Sequence, residues 1–541
     1  MRRLLFIGML LLLAARPAPR LPAAVAGEAL CESGQAMRAN PPVGVKPSVP
    51  ISDFRVKAFH LDMRIQVMTM PALRAFVQML HEGGINTLIM EYEGTYPYGK
   101  HLLIPNEYAY TRAEILSFVA FCNQLGVDVI PLQQSFGHVE YILRHSRYRS
   151  LKEDPKDLSQ VCPLKTTEDS LLFTDLYTEL AATHTSPYIH IGCDETHLLG
   201  HCPECRRKVE KEGVSKLYFD YVRMLCNIVV RLGKRPVLWA DMALKYPEAI
   251  KSLPEGTVFV DWNYGWGMDR FGDHQKLLES GYEIWGAPAI RSSPDNDYLT
   301  EWKKHLDNIR DFVPQARQMG YQGMVLTSWS TSGTYSYVYE SENDLSALDA
   351  IRRVYPITGF HLLIAAYIES LRTTGTLDVN RFINDYGASR YGFDSVKSRI
   401  FWQALTTAPY EVKEGFVLSS MPMTLKVLAD SSAVAAQTLR ALRPAKNEKE
   451  FEHYRLMADI RAQHLRFLEI VQQANTEGFN GDSLPAVLRR LQVLIAENTV
   501  LSQRFIDLNR DDFYLAELEE ENRLRSVTLV DFYTRLNRGG R

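Results

Sequence analysis

The 541-residue sequence has no basic excess. Its 61 Lys and Arg stand against 64 Asp and Glu, a formal net charge of −3. Nucleic-acid binders usually carry a positive patch or stripe, so no nucleic-acid partner is expected. No Gly-rich phosphate turn follows any strand-like run, which argues against a nucleotide-binding sheet; no cofactor is expected. No N-x-S/T sequon occurs, so nothing marks a glycosylated secretory chain. Past the N-terminus no apolar run is long enough to cross a bilayer. Cysteine is scarce and odd in number, seven in all. That is too few for a disulfide-stapled scaffold, and one thiol must stay free or pair outside the chain.

What is present is ordinary globular composition, 46% hydrophobic and 11% aromatic. It is ample for a buried core and too apolar for disorder, and the length suggests two domains. The N-terminus reads as an address: "MRR", an apolar run from Leu4 to Ala15, and a small-x-small "AVA" ending at Ala26. Residues 1–26 are expected to be a signal peptide. The chain would then be exported (periplasmic, extracellular or lumenal) and free of the membrane after cleavage; the alternative is an uncleaved membrane anchor. Residues 27–50, with "NPPVGVKPSVP", read as a linker.

From there eight short apolar runs alternate with helical patterns. They are "VKAFHLDM" (56–63), "NTLIMEYE" (86–93), "DVIPLQQ" (128–134), "YIHIGCD" (188–194), "RPVLWAD" (235–241), "TVFVDWN" (257–263), "YEIWGAP" (282–288) and "GMVLTSWS" (323–330). None alternates strictly, as expected of parallel strands buried on both faces. Helical segments such as "MPALRAFVQMLHEGG" and "TRAEILSFVAFCNQLG" end in glycine, a stop signal. Eight such units predict an α/β fold, a (β/α)8 barrel over residues 51–372. From 373 to 541 apolar residues recur at three-four spacing, which predicts an all-helical C-terminal domain packed on the barrel.

Function in such a barrel gathers where the strands end. These ends carry Arg64, Glu91, His138, Asp194 with Glu195, Trp239 with Asp241, Trp262 with Tyr264, Trp285 and Trp329. Acids beside an arginine and tryptophan walls suit a sugar: carboxylates protonate a leaving oxygen, polar groups bind hydroxyls, and indoles stack on the ring. Adjacent carboxylates would face opposite sides of a regular strand. They work together only if the chain turns there. They are also poorly placed to stand across a sugar, so the substrate's own acetamido oxygen becomes the natural nucleophile.

"HIGCDE" (190–195) resembles the H-x-G-x-D-E signature of the glycoside hydrolase family 20 β-N-acetylhexosaminidases. "HLDMRIQ", "LIMEYEGTYPY", "IPLQQSFGHVEYIL" and "VLWADM" are most similar to its hexosaminidase D branch. The resemblance covers about residues 55–340. It implies an exo-acting, retaining hydrolase that releases terminal β-GlcNAc or β-GalNAc through an oxazolinium intermediate, with a glycan or glycoconjugate as partner. It assigns Glu195 as general acid and later base, and Asp194 as the group that steadies the acetamido substituent. His190 would support the pair and Tyr264 would bind the acetamido carbonyl. Trp239, Trp262 and Trp329 would wall the sugar, and Arg64 and His138 would contact it. The chain departs from the family's larger members at Gln134 and Thr331, where they carry acids, so the choice between gluco and galacto sugars stays open. The rival class is a non-catalytic sugar-binding barrel.

Cys202-Pro-Glu-Cys205 supplies one C-x-x-C pair, short of the four ligands of a structural zinc. No metal is expected at the chemistry. Whether these thiols are free, disulfide-bonded or metal-bound stays open, as does the oligomeric state.

Overall fold

The computed structural model describes residues 53–331 and 353–539. The segments read as signal peptide (1–26) and linker (27–50) lie outside the described residues, as do positions 51–52 and 332–352 of the span read as barrel.

Eight strand positions close into a parallel barrel. They are β1 (Val56–Asp62), β2 (Thr87–Glu91), β3 (Asp128–Leu132), β4 (Tyr188–His190), β5 (Arg235–Trp239), β6 (Val258–Trp262), β7 (Glu283–Ala287) with the short β8 (Ala289–Arg291), and β9 (Gly323–Ser328). Each pairs with the next, and β9 returns to β1 through Val56↔Gly323 to Phe59↔Leu326. The seventh position is split. β7 pairs with the lower end of β9 (Trp285↔Gly323), and β8 with its upper end (Ala289↔Thr327). The cause is Pro288, which lacks an N–H to continue the ladder. Its carbonyl still accepts from the Thr327 N–H at 2.8 Å, so the barrel stays closed.

The connecting helices follow their sequence signals. Met70–Glu82 opens with Pro71 in its first turn, and the chain leaves through Gly83 and Gly84. Arg112–Gln124 opens on a capping box in which Thr111 and Glu114 satisfy each other's backbone N–H groups. His361–Arg372 completes the outer ring: Arg372 donates to the Gly83 carbonyl at 2.9 Å. The barrel interior is filled by Ala58, Ile89, Ile130, Val237, Trp239, Val258, Trp285 and Val325.

The helical C-terminal region stacks Leu425–Ala441, Glu448–Ala474, Leu484–Asn509 and Leu515–Gly539 in sequence. It presses on the loop after β1. The Val67 N–H donates to Glu517 at 2.6 Å, the Thr69 N–H to the Asp512 carbonyl at 2.8 Å, and Gln66 Nε2 to Glu521 at 3.3 Å. Tyr298 also stacks on His464, ring centroids 3.6 Å apart. The region therefore braces the same end of the barrel where Arg64 lies. Among the described residues no helix is long and apolar enough to cross a membrane.

Candidate active site

The exit from β4 explains how two neighbouring acids come to serve one site. Gly192, Cys193 and Glu195 all have left-handed backbone, φ 69°, 74° and 46°. The alternation of a strand is broken there, at a cost side chains rarely accept except at functional sites. Gly192 is compelled twice over, because a Cβ would also sit 1.8 Å from Gln134 Oε1. The loop after β3 comes equally close: a Cβ on Gly137 would lie 2.4 Å from the Asp194 carbonyl. That approach delivers His138, itself left-handed at φ 53°. Its Nε2 lies 3.2 Å from Glu195 Oε2 and 3.5 Å from Asp194 Oδ2.

Burial and charge divide the three groups. Burial pushes the Asp194 carboxyl up, and Asp241, Glu195 and Glu91 add to the effect against His138, bringing it to about 7. Burial also works on Glu195, but the hydrogen bond and charge of His138 outweigh it and hold that carboxyl down at about 2. For His138 burial favours the neutral ring. Asp194 and then Glu195 overcome it and raise the imidazole to about 10. Below about pH 7 the site thus holds an imidazolium facing two carboxyls that carry one proton between them, held by Asp194. The Glu195 side chain is 40% exposed and that of Asp194 7%; among the described residues Asp194 Oδ1 has no hydrogen-bond partner. Asp241, wholly buried, accepts the Glu195 N–H at 3.2 Å and lies 3.8 Å from Lys245 Nζ. Its Oδ2 fixes the Glu195 backbone, and its Oδ1 has no partner among the described residues.

Aromatic rings form the floor and wall. Trp239 is fully buried between His190 (4.5 Å) and Trp329 (5.7 Å), its indole N–H unpartnered. His190 Nδ1 accepts the Gly192 N–H at 3.1 Å, so its proton sits on Nε2, and burial keeps the ring neutral. Trp329 Nε1 donates to the Tyr264 hydroxyl at 2.8 Å. That bond uses the oxygen as acceptor and leaves the O–H to donate; burial holds the phenol far above its usual range, so it keeps its proton. Trp262 packs on Tyr264 at 5.1 Å and is backed by Trp266 and Phe271.

On the β1–β2 side, Arg64 binds Asp62 bidentately at 3.0 and 3.1 Å, donates to the Thr331 carbonyl, and lies over the Trp329 ring at 5.4 Å. Glu93 stands 3.9 Å from Arg64, and burial drives its carboxyl well up despite that cation. Glu91 is fully buried beneath the rim, bonded to His60 Nε2 at 2.8 Å and Gln134 Nε2 at 3.1 Å.

The fold therefore brings Asp194, Glu195, His138, Tyr264, Trp239, Trp262, Trp329 and Arg64 to one end of the barrel. Glu91 and Asp241 lie there too, both buried: Glu91 has both carboxylate oxygens bonded, while Asp241 Oδ1 has no partner among the described residues. Trp285 is a correction. It sits at the opposite end, edge-on to Tyr188 at 5.4 Å, with its indole N–H donating to Glu283 at 2.9 Å. It pairs with Gly323, where a Cβ would lie 2.6 Å from the indole. The third residue of its strand falls in the lowest layer because the strands are tilted and staggered. Sequence reasoning passed over Lys245, one helical turn beyond Asp241.

Among the described residues, two groups have donors close enough for a cation. One is His138, Asp194 and Glu195 themselves; the other is Glu153, Cys162, Cys202 and Cys205. In each, one donor atom per residue lies within 4.8 Å of all the others.

Residues 65–343 match the family described as glycosyl hydrolase family 20, catalytic domain. The chain is 26% identical to Hexosaminidase D of Homo sapiens over 344 residues, 60% of this chain and 70% of that protein. It is 28% identical to Hexosaminidase D of Bos taurus over 304 residues, 53% of this chain and 87% of that protein. Among solved structures it is similar to a β-N-acetylhexosaminidase from Bacteroides fragilis, at 18% identity and TM-score 0.47, covering 62% of this chain and 70% of that one.

Proposed function

The chain belongs to glycosyl hydrolase family 20, and from that premise we propose that it is an exo-acting β-N-acetylhexosaminidase working with retention through its substrate's own acetamido group. The observation that carries the reading is the closeness of the two acids. The donor atoms of His138, Asp194 and Glu195 lie within 4.8 Å of one another. An inverting pair needs roughly 6.5–9.5 Å to admit a water between carboxyls and sugar. A nucleophile carried by the substrate removes that requirement.

In the proposed reaction the acetamido N–H donates to Asp194, whose Oδ1 has no partner among the described residues. A donor there favours the ionised form of Asp194, so the proton shared by the pair moves to Glu195, the group that needs it. The acetamido oxygen attacks C1 as the glycosidic bond breaks, and the departing oxygen takes the Glu195 proton. The Tyr264 O–H holds the acetamido carbonyl in line, and Trp239, Trp262 and Trp329 enclose it. An oxazolinium results, its positive charge facing the Asp194 carboxylate. Glu195, now ionised, takes a proton from water, the water oxygen bonds to C1 on the face the leaving group left, and the ring opens with the starting configuration restored.

The test is a rate comparison among nitrophenyl β-GlcNAc, β-GalNAc and β-glucoside. Release should be confined to the two acetamido sugars. Comparable turnover of the plain glucoside would eliminate the mechanism, because that substrate has no nucleophile to offer.

A further inference from the structure

Seven residues past Glu195 the chain reaches Cys202-Pro-Glu-Cys205, the first turn of the helix Pro203–Glu212. Folding adds two ligands that no local spacing announces. In the loop after β3, Lys152 bridges Val161, the Glu153 N–H donates to the Gln160 carbonyl at 3.1 Å, and the Cys162 N–H to the Leu151 carbonyl at 2.7 Å. This short antiparallel ladder sets Glu153 and Cys162 against the C-x-x-C turn. Cys162 Sγ lies 3.9 Å from Cys202 Sγ and 3.6 Å from Cys205 Sγ, and Glu153 Oε2 is 3.3 Å from Cys205 Sγ. Four ligands on a tetrahedral zinc, at about 2.3 Å for sulfur and 2.0 Å for oxygen, would stand about 3.8 Å apart sulfur to sulfur and about 3.5 Å sulfur to oxygen. The cluster already has that size.

Its surroundings fit a closed site. Glu153, Cys162 and Cys205 are each 2% exposed or less, and Leu164, Leu199, Val209 and Leu217 pack around the thiols. The Cys205 N–H donates to Cys202 Sγ at 3.3 Å, as a thiolate ligand would favour. Glu153 is the second, independent sign. Its carboxylate accepts the Cys202 N–H at 2.7 Å and faces Cys205, with no Lys or Arg paired to it among the described residues. A buried carboxylate without a cation is costly.

We propose that Glu153, Cys162, Cys202 and Cys205 bind one zinc ion that clasps the loop after β3 to the loop after β4. Binding involves no redox change. The three thiols give up their protons to solvent and the four ligand atoms take the metal's coordination sites. The clasp joins the segment that carries His138 to the segment that carries Asp194 and Glu195, alongside the Leu198 N–H bond to Gln160 at 2.9 Å and the tight Gly137 approach. It would be a positioning device for the acid pair, outside the reacting atoms.

The full chain, made without an affinity tag that binds metal, should hold one zinc per molecule by mass-spectrometric metal analysis. In the folded protein, maleimide should leave Cys162, Cys202 and Cys205 unmodified until a chelator removes the metal. Removal should lower Tm by several degrees, with recovery on adding zinc and none on adding magnesium. Cys162→Ser should lose the metal while Cys122→Ser, at a buried thiol elsewhere, should keep it. Because a variant can fail to fold, the native-state metal count and labelling decide the matter. An intact mass 2 Da light under non-reducing conditions, with a disulfide mapped to these cysteines, would overturn the proposal. So would a chain with no metal and three reactive thiols. A Tm unmoved by zinc removal would overturn the clasp.

Discussion

The two ends of the barrel use the same residue types to opposite purpose. At the N-terminal end Trp285 donates to Glu283, whose other oxygen receives Arg235 at 2.8 Å, and Arg235 in turn covers the Tyr188 ring at 5.1 Å. Every polar atom named there has a partner, as a buried layer requires. At the C-terminal end Trp239 Nε1, His190 Nε2 and Asp194 Oδ1 have none among the described residues. The backbone there is left-handed at Glu93, His138, Cys193 and Glu195. Unsatisfied polar atoms and strained backbone both weaken a fold. Their concentration at one end marks the region kept for a ligand, and the satisfied end is what holds it in place.

The comparison breaks first at Glu195. Glu195→Gln should lower kcat on an oligosaccharide by about 100- to 10,000-fold, the usual worth of a positioned acid, and by less on nitrophenyl glycosides, whose leaving group needs little help. Unchanged kcat on the oligosaccharide would remove Glu195 from the acid role. The second effect is pH. Asp194 is raised to about 7, so the free site loses its shared proton as pH climbs through that value. A plot of kcat/KM should fall about tenfold per unit above pH 7. A flat profile to pH 9 would show that the pair does not hold the working proton.

Tyr264→Phe removes one neutral hydrogen bond to the acetamido carbonyl and should cost about 2- to 10-fold in kcat/KM. No loss would take the phenol out of contact with substrate. The smallest effect on activity belongs to the far end. Trp285→Phe should lower stability by roughly 1–3 kcal/mol, read by denaturant unfolding, through a lost bond to Glu283 and a partly emptied layer, with kcat unchanged. A fall in kcat comparable to that of Tyr264→Phe would show that the two ends are not separable.

Much of this was legible in the chain. The eight apolar runs lie where the eight strand positions lie, because parallel strands buried on both faces write continuous apolar text. The glycine stops and the Thr111 capping box are equally local. Asp194 and Glu195 stood out because two carboxyls after an apolar run have few structural uses, and the fold sets both beside His138. Trp285 was misplaced because a barrel's stagger is a property of all its strands together; the layer a residue occupies is set by partners hundreds of residues away. Glu91 gave no sign that it would end beneath the rim, since the same residue type serves as ligand contact or as support.

The sequence alone determined the repeat, the acid pair and the glycines that let two loops close on it, since those depend on residue type and near neighbours. Only the tertiary structure decided which tryptophans face the site, how His138 splits the two acids apart in proton affinity, and that Cys162 and Glu153 join Cys202 and Cys205. Each of these is a meeting of side chains from different loops, and such meetings are fixed by barrel closure, which no spacing along the chain records.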